Sequence, residues 1–340
     1  MSRPVTPSAS SSSPLTPPYA HSKVMMYAEW LALRGMIAVL RRGSFKRAAA
    51  IAKGIAFLGY HLVSSSRQWA TKNLELVFGD SLNPVQRRAL AKIAYGNIAL
   101  SYLESFRAEE IRSTVDGNDH FWQAYAKGKG VLLCSVHLGS WEAGAYRMGM
   151  AGVPTVAVYR PVYNPLSNQE ILRARRGVQV EWVESTDLDR IVRALHHRKA
   201  VILMTDLNYP AGGVMANFLG IPASCPPGPA KMALLFGTPI IPVVSLRTGI
   251  GESMIHMLPQ VQMDDLRGEK SVVVLTERLN RAFEPWIINY AEQYYWIYAR
   301  WRVRPDGRDW TLNRPLTEIA AERRDPPHAV PSRVMDLLPR

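Results

Sequence analysis

Apolar residues gather along this chain in more than one rhythm, and the changes of rhythm divide it. From Val24 to Leu40 they crowd together (Met25, Met26, Tyr27, Trp30, Leu31, Leu33, Met36, Ile37, Val39), interrupted by Glu29 and Arg34 and closed by Arg41 and Arg42. A second crowded run, Ala48 to Val63, holds only Lys53 and His61 as strongly polar members. Both runs predict helices. Ser66 to Arg107 then carries helical periodicity, with Asn83-Pro84 marking a helix start and Arg87, Arg88 and Lys92 on the polar side, so a helical bridge is expected.

Beyond the bridge, short β-rich runs alternate with helical stretches: Val131–Val136, Val153–Tyr159, Val180–Val183, Ala200–Met204, Ile240–Leu246, Met254–Met257 and Tyr294–Tyr298. That alternation predicts an α/β fold, a mostly parallel or mixed sheet of about seven strands flanked by helices on both faces. Residues 1–22 are rich in Ser, Pro and Thr; they cannot bury enough apolar surface to offset ordering entropy and are expected to form a disordered tail. The expected organisation is therefore a tail over 1–22, a helical segment over 23–65, an α/β domain over 66–310 and a C-terminal tail over 311–340.

Composition narrows the setting. Although 47% of the 340 residues are hydrophobic, no run approaches the ~20 uninterrupted apolar residues of a clean membrane span, which excludes a polytopic chain. Lys and Arg outnumber the acids by 41 to 28, for a net charge of +13, which favours a polyanionic neighbour. No finger-spaced Cys and His set or aromatic RNA-binding sheet is present, so nucleic acid is not expected and a membrane surface leads. The basic flanks of the two N-terminal runs suit insertion into one leaflet or one short span. A packed helical hairpin is the ordinary alternative. Cys134 and Cys225 alone give no disulfide framework or structural zinc site, and Cys134, inside an apolar run, reads as a core residue. The N-terminus lacks the features of a secretory signal, so a reducing, cytoplasmic setting fits.

Candidate chemistry lies in Gly130-Val-Leu-Leu-Cys-Ser-Val-His137-Leu-Gly139-Ser140-Trp141-Glu142, a buried strand ending in a histidine, then a glycine turn, then a helix start. On one continuous helix, His137 and Glu142 would point roughly 140° apart. At a strand-to-helix corner the glycine lets the chain fold back, so that a carboxylate in the first turn can reach the imidazole. A hydroxyl nucleophile needs a base, and a histidine oriented by a carboxylate is the usual one. Metal ligation lacks a third ligand at recognisable spacing.

With these residues the chain resembles the bacterial lipid A biosynthesis acyltransferases, the late lauroyl and myristoyl transferases, which share the lysophospholipid acyltransferase superfamily with phosphatidylinositol mannoside acyltransferases. His137 and Glu142, separated by four residues, match the family's mark. Agreeing stretches are Asn73-Leu-Glu-Leu-Val-Phe78, Tyr159-Arg160-Pro161 with Asn164-Pro165-Leu166, Thr205-Asp206, Phe218-Leu-Gly-Ile-Pro222, and Glu292-Gln-Tyr-Tyr-Trp296 leading to Arg300, Arg302 and Pro305. The match spans roughly residues 24–307.

The resemblance implies an enzyme of the bacterial inner membrane, at its cytoplasmic face, that transfers a fatty acyl chain from acyl carrier protein or acyl-coenzyme A to a hydroxyl of a lipid A-type precursor. Phosphatidylinositol mannoside or another glycolipid is the alternative acceptor. No metal or cofactor is implied. His137 and Glu142 are the implied catalytic pair, and Arg160, Asn164, Asp206 and Arg300 the implied substrate-binding residues. Asp206 is expected to hold an arginine or a sugar hydroxyl, while Arg160 serves an oxyanion or an acceptor phosphate. Arg173, Arg175 and Arg176 form a basic cluster suited to an acidic carrier or phosphorylated headgroups. Two departures bear on the acceptor: Leu207-Asn208 follows the aspartate where the family commonly has a polar or acidic pair, and Tyr298-Ala299-Arg300 stands where it often has a histidine and two arginines. A hydrolase would need its own nucleophile in a Gly-x-Ser-x-Gly elbow, which is absent. A purely binding protein would have no use for the His and Glu pair.

Overall fold

The computed structural model describes residues 22–175 and 180–339. The tail expected over 1–22 lies outside the described residues except for Ser22, whose hydroxyl caps the first helix by accepting from Met25 N–H at 3.2 Å. That helix is α1 (Lys23–Leu40), followed by α2 (Phe45–Leu62), α3 (Ser64–Phe78) and α4 (Pro84–Phe106). Asn83 starts α4 as its sequence promises: its side chain accepts from the Val85 and Gln86 amides, and Gln86 returns the bond to the Asn83 N–H.

The α/β part runs β1 (Arg112–Asp116), α5 (Asn118–Tyr125), β2 (Val131–Gly139), α6 (Trp141–Met150), β3 (Thr155–Tyr159), α7 (Pro165–Ala174), β4 (Glu181–Glu184), α8 (Leu188–His196), β5 (Ala200–Met204), β6 (Val214–Phe218), β7 (Ile221–Cys225), α9 (Gly228–Phe236), β8 (Ile240–Gly249), β9 (Glu252–Met257) and α10 (Ser271–Asn289). Seven strands form one sheet in the order β1-β9-β8-β2-β5-β3-β4. Every neighbouring pair is parallel except β8 and β9. β2 is central and covered on both faces, which is why its sequence is a nearly unbroken apolar run rather than an alternating one.

The expected strand count holds, but its membership differs. Tyr294–Tyr298 is not a strand: Tyr294 makes a single bridge to Leu138, and Asn73 Nδ2 donates to the carbonyls of Trp296 and Tyr298, at 2.7 Å each. The aromatic density there reflects burial against the core, with Trp296 1% exposed, not ladder pairing. The seventh strand is the polar edge strand β1, whose Ser113 hydroxyl meets that of Ser253 at 2.8 Å. β6 and β7 form a separate antiparallel hairpin that turns through Leu219 and Gly220, both at positive φ.

Residues 311–339 are not a loose tail. Ile319 and Val334 are fully buried in the main core, which also takes in Trp310 just before them. Arg304 pairs with Glu322 and Arg333 with Glu292, and His328 N–H donates to Val77 O at 2.9 Å. Among the described residues no single helix is long and apolar enough to cross a membrane; α2 and the Ser64–Ser81 segment qualify only as a pair, bent by 90°.

Candidate active site

β2 and β5 are parallel neighbours with Ser135 opposite Met204, and Thr205 N–H extends the pairing by donating to Ser135 O at 2.9 Å. Two residues past that register point, His137 and Asp206 stand side by side at the carboxyl ends of their strands, where open parallel sheets build their sites. Asp206 is 1% exposed and spends both oxygens on the histidine. His137 N–H donates to Oδ2 at 2.9 Å, and the imidazole Nδ1 lies 2.8 Å from Oδ1. Burial works to raise the carboxyl's pKa, but the His137 ring, its hydrogen bonds and the Arg300 charge together hold it below the ordinary aspartate value. Against an ionised carboxylate Nδ1 must carry the proton, which leaves the Nε2 lone pair as the ring's available base.

Aromatic rings wall the imidazole. Trp141 and Tyr295 have centroids 5.3 and 5.4 Å from it, and Tyr295 N–H donates to His137 O at 3.1 Å. The Tyr295 and Tyr102 hydroxyls are 3.1 Å apart. Beneath Asp206, burial and then the neighbouring carboxylate push the Tyr294 hydroxyl well above the usual tyrosine pKa, so it stays a neutral phenol.

The corner after the histidine depends on Gly139. Its φ of +61° suits glycine, and a Cβ there would fall 2.3 Å from Ser245 O. Ser140 N–H donates to Ser245 O at 2.8 Å, so that amide is spent internally. The Trp141 and Glu142 amides, in the first turn of α6, have no backbone partner among the described residues and form the positive end of the helix.

Several expected site residues are placed differently. His137 and Glu142 do not form the expected dyad: Glu142 sits in the first turn of α6 and pairs with Arg175, which reaches it through both Nε, at 3.0 Å, and Nη2. Arg175 in turn lies over the Trp182 ring at 4.6 Å. Asp206 bonds no arginine among the described residues and turns no face to a sugar: each of its oxygens accepts from His137, and its side chain is fully buried. Asn164 is 1% exposed: its Oδ1 accepts from the Leu166 and Ser167 amides to cap α7, and its Nδ2 donates to Met26 O and Glu29 of α1. Nothing of it is left for substrate.

Arg300 is 3% exposed. It donates to Ser224 O and Cys225 Sγ, at 2.8 Å each, and lies 4.6 Å over Phe218. It therefore acts on Asp206 through its charge, not on a ligand. Arg160 is exposed just past β3, with its charge felt at the Tyr298 hydroxyl. Arg173 is half-exposed and paired with Glu170; Arg176 lies outside the described residues. Cys134 is free and buried, and burial pushes its thiol far up. The aromatic wall of Tyr102, Trp141 and Tyr295 was not among the expected site residues; it is assembled from α4, the start of α6 and the segment after α10, far apart in sequence for two of its three members.

Comparison with known proteins gives the chain's family. The family model of the bacterial lipid A biosynthesis acyltransferases matches residues 18–303. The lipid A biosynthesis lauroyltransferase of Escherichia coli (strain K12) is 26% identical over 267 residues, covering 75% of this chain and 85% of that protein. The lipid A biosynthesis palmitoleoyltransferase of the same organism is 25% identical, covering 74% and 86%. The phosphatidylinositol mannoside acyltransferase of Mycolicibacterium smegmatis is 27% identical over 195 residues, 54% of this chain and 60% of that protein. With a family match across most of its length, this chain belongs to the bacterial lipid A biosynthesis acyltransferases and is an acyltransferase.

Proposed function

We propose that this enzyme transfers a fatty acyl chain from the thioester of acyl carrier protein or coenzyme A to a hydroxyl of a lipid A-type glycolipid, with His137 as general base. The observation that carries the reading is the Asp206-bound Nδ1 of His137, which leaves Nε2 free to take the acceptor's proton. The hydroxyl oxygen attacks the thioester carbonyl as its proton passes to Nε2. The tetrahedral oxyanion is stabilised by the Trp141 and Glu142 amides, and the carbon–sulfur bond breaks as the imidazolium returns the proton to the leaving thiolate. Asp206 fixes the tautomer and offsets the imidazolium charge.

A small apolar cleft of about 20 Å³ between α6 and the sheet, lined by Leu133, Met148, Ile202, Val243, Ile255 and Met257, includes Trp141 in its wall. The lipid A-type acceptor is preferred to a mannoside because the lipid A relatives match 75% of this chain and the mannoside relative 54%.

The decisive experiment incubates the membrane-extracted enzyme with a lipid A precursor and each thioester, and reads the product by mass spectrometry. A mass gain of one acyl group is expected, and H137A should lower turnover at least ~100-fold while folding normally, as for loss of a positioned base. An H137A enzyme near wild-type rate sinks the reading.

We place the enzyme on the cytoplasmic face of the inner membrane through α1 and α2. Val24, Met25, Tyr27 and Leu31 of α1 and Ile55, Phe57, Leu58 and Leu62 of α2 are exposed, with Arg34 and Lys92 over Trp30 and Phe57. Exposed apolar faces beside cations suit an anionic bilayer surface. Substituting Leu31, Phe57, Leu58 and Leu62 with Ser should release the protein from anionic vesicles in a flotation assay; unchanged flotation places the contact elsewhere.

A further inference from the structure

Behind the His137 corner lies a buried charge pair with no place in the proton transfer. Arg247 of β8 and Glu104 of α4 have side chains 5% and 2% exposed. Arg247 Nε and Nη2 donate to the two Glu104 oxygens at 2.6 and 2.7 Å, and Nη1 donates to Asn97 Oδ1 at 2.9 Å. Nη2 also reaches Ser101 Oγ at 2.8 Å and Gly139 O at 3.4 Å. Ser101 Oγ–H donates to that same Gly139 carbonyl at 2.6 Å. The Arg247 backbone is fixed too: its N–H donates to Gln293 Oε1 at 3.0 Å, and its carbonyl accepts from Gln293 Nε2 at 3.1 Å.

We propose that Arg247, charged and held by Glu104, is a positioning residue that works with Ser101 to lock the Gly139 turn, and so sets the distance between the His137 base and the Trp141 and Glu142 amides. This rests on the base and oxyanion roles proposed above. Gly139 lies two residues from His137 and two from Trp141, so a rotation of its peptide moves both ends of the reacting geometry at once. A buried ion pair is a poor source of net stability, because desolvating the charges offsets most of their attraction. A guanidinium bonded at all three nitrogens and anchored to the carbonyl of the Gly139 turn has a different use, since a misplacement of about 1 Å at such a site costs on the order of 100-fold in rate.

The test separates positioning from folding. R247M alone strands the Glu104 charge, and both Tm and kcat should fall. The double variant R247M/E104L removes both charges and should regain Tm to within a few degrees, while kcat stays about 10- to 100-fold low with both KM values unchanged. S101A, which deletes one bond to Gly139 O, should keep its Tm and lose kcat severalfold. In the low-field proton spectrum the His137 Nδ1–H signal should move or broaden in R247M/E104L. A double variant with wild-type Tm and wild-type kcat overturns the proposal, as does a folded S101A at full rate, which decides the matter if the double variant does not fold. H137A distinguishes the two failures. If H137A is inactive while these variants are fully active, only the positioning role is lost; if H137A is active, the base assignment itself fails.

Discussion

Asp206 and Glu142 each bring a carboxylate to the carboxyl ends of the parallel strands, yet they face different cations. Asp206, 69 residues from His137 in sequence, wraps both oxygens around the histidine and has a fully buried side chain. Glu142, five residues from it, turns to Arg175 and retains a 10% exposed side chain. The difference follows from topology. Neighbouring parallel strands in register set their end residues side by side whatever the loop between them, whereas the first turn of α6 brings Trp141 back against His137 and sends Glu142 to Arg175. Nearness along the chain is thus the poorer guide to which carboxylate pairs with the histidine.

The largest effect that tests this contrast is expected from D206N. The amide oxygen of the variant can still accept from His137 N–H, but its NH₂ then faces Nδ1, which moves the imidazole proton to Nε2 and removes the lone pair from the acceptor side. Turnover should fall by about 10³- to 10⁴-fold, with KM changing little, as for a triad histidine held in the wrong tautomer. D206N retaining more than a tenth of wild-type kcat would break the pairing that the comparison rests on.

A smaller effect is expected on the other side. E142Q and R175M should each lower kcat about tenfold by loosening the N-terminus of α6 and the amides it presents. Because the two residues form one unit, the double variant should be no worse than either single change, the non-additivity of a shared contact. If E142Q instead loses as much as D206N, and R175M does not, Glu142 is the histidine's partner during turnover and the contrast collapses.

What the residues disclosed, and what they hid, follows the same division. The apolar run ending in His137 was legible because a central parallel strand is buried on both faces. The Asn83-Pro84 helix start was legible because a cap is a local event. Asp206 could be singled out as a site residue but not paired, since that requires knowing that β5, not β3, lies beside β2. Asn164 was misjudged because a buried helix cap and a ligand-binding amide look alike in one dimension. The C-terminal segment, 311–340, read as a tail because Ile319 and Val334 stand among Arg, Pro and Asp without sustained helical or strand spacing. In the fold those single apolar residues fill the core, and arginines such as Arg304 and Arg333 find carboxylates far along the chain. The N-terminal helices present the reverse: one face, with Ile37, Leu40, Ala48, Ala49 and Ala52, packs on Leu100, Leu103 and Phe106 of α4, while Val24, Leu31, Phe57, Leu58 and Leu62 stay exposed, so apolar density marked a surface as well as a core there and its absence hid a buried segment.

The smallest expected effect, and the one most particular to Asp206, is on acid stability. His137 and Arg300 hold its folded-state pKa below that of an unfolded aspartate despite burial. An unfolded aspartate titrates near ~3.9. A carboxyl whose pKa is lowered on folding contributes stability that is fully present above the unfolded value and is lost as pH falls through the folded one. Wild type should therefore exceed D206N in Tm by a few degrees between about pH 5 and 7. That gap should narrow as pH falls below ~4, where protonation takes from Asp206 one of the two oxygens that accept from His137. The carboxamide in D206N does not titrate, so differential scanning fluorimetry across the range reads what protonating the Asp206–His137 pair costs the wild type. A gap that stays constant or widens on acidification would show that the carboxylate gains nothing from its two bonds to His137, and that the pair is held together by the strands around it.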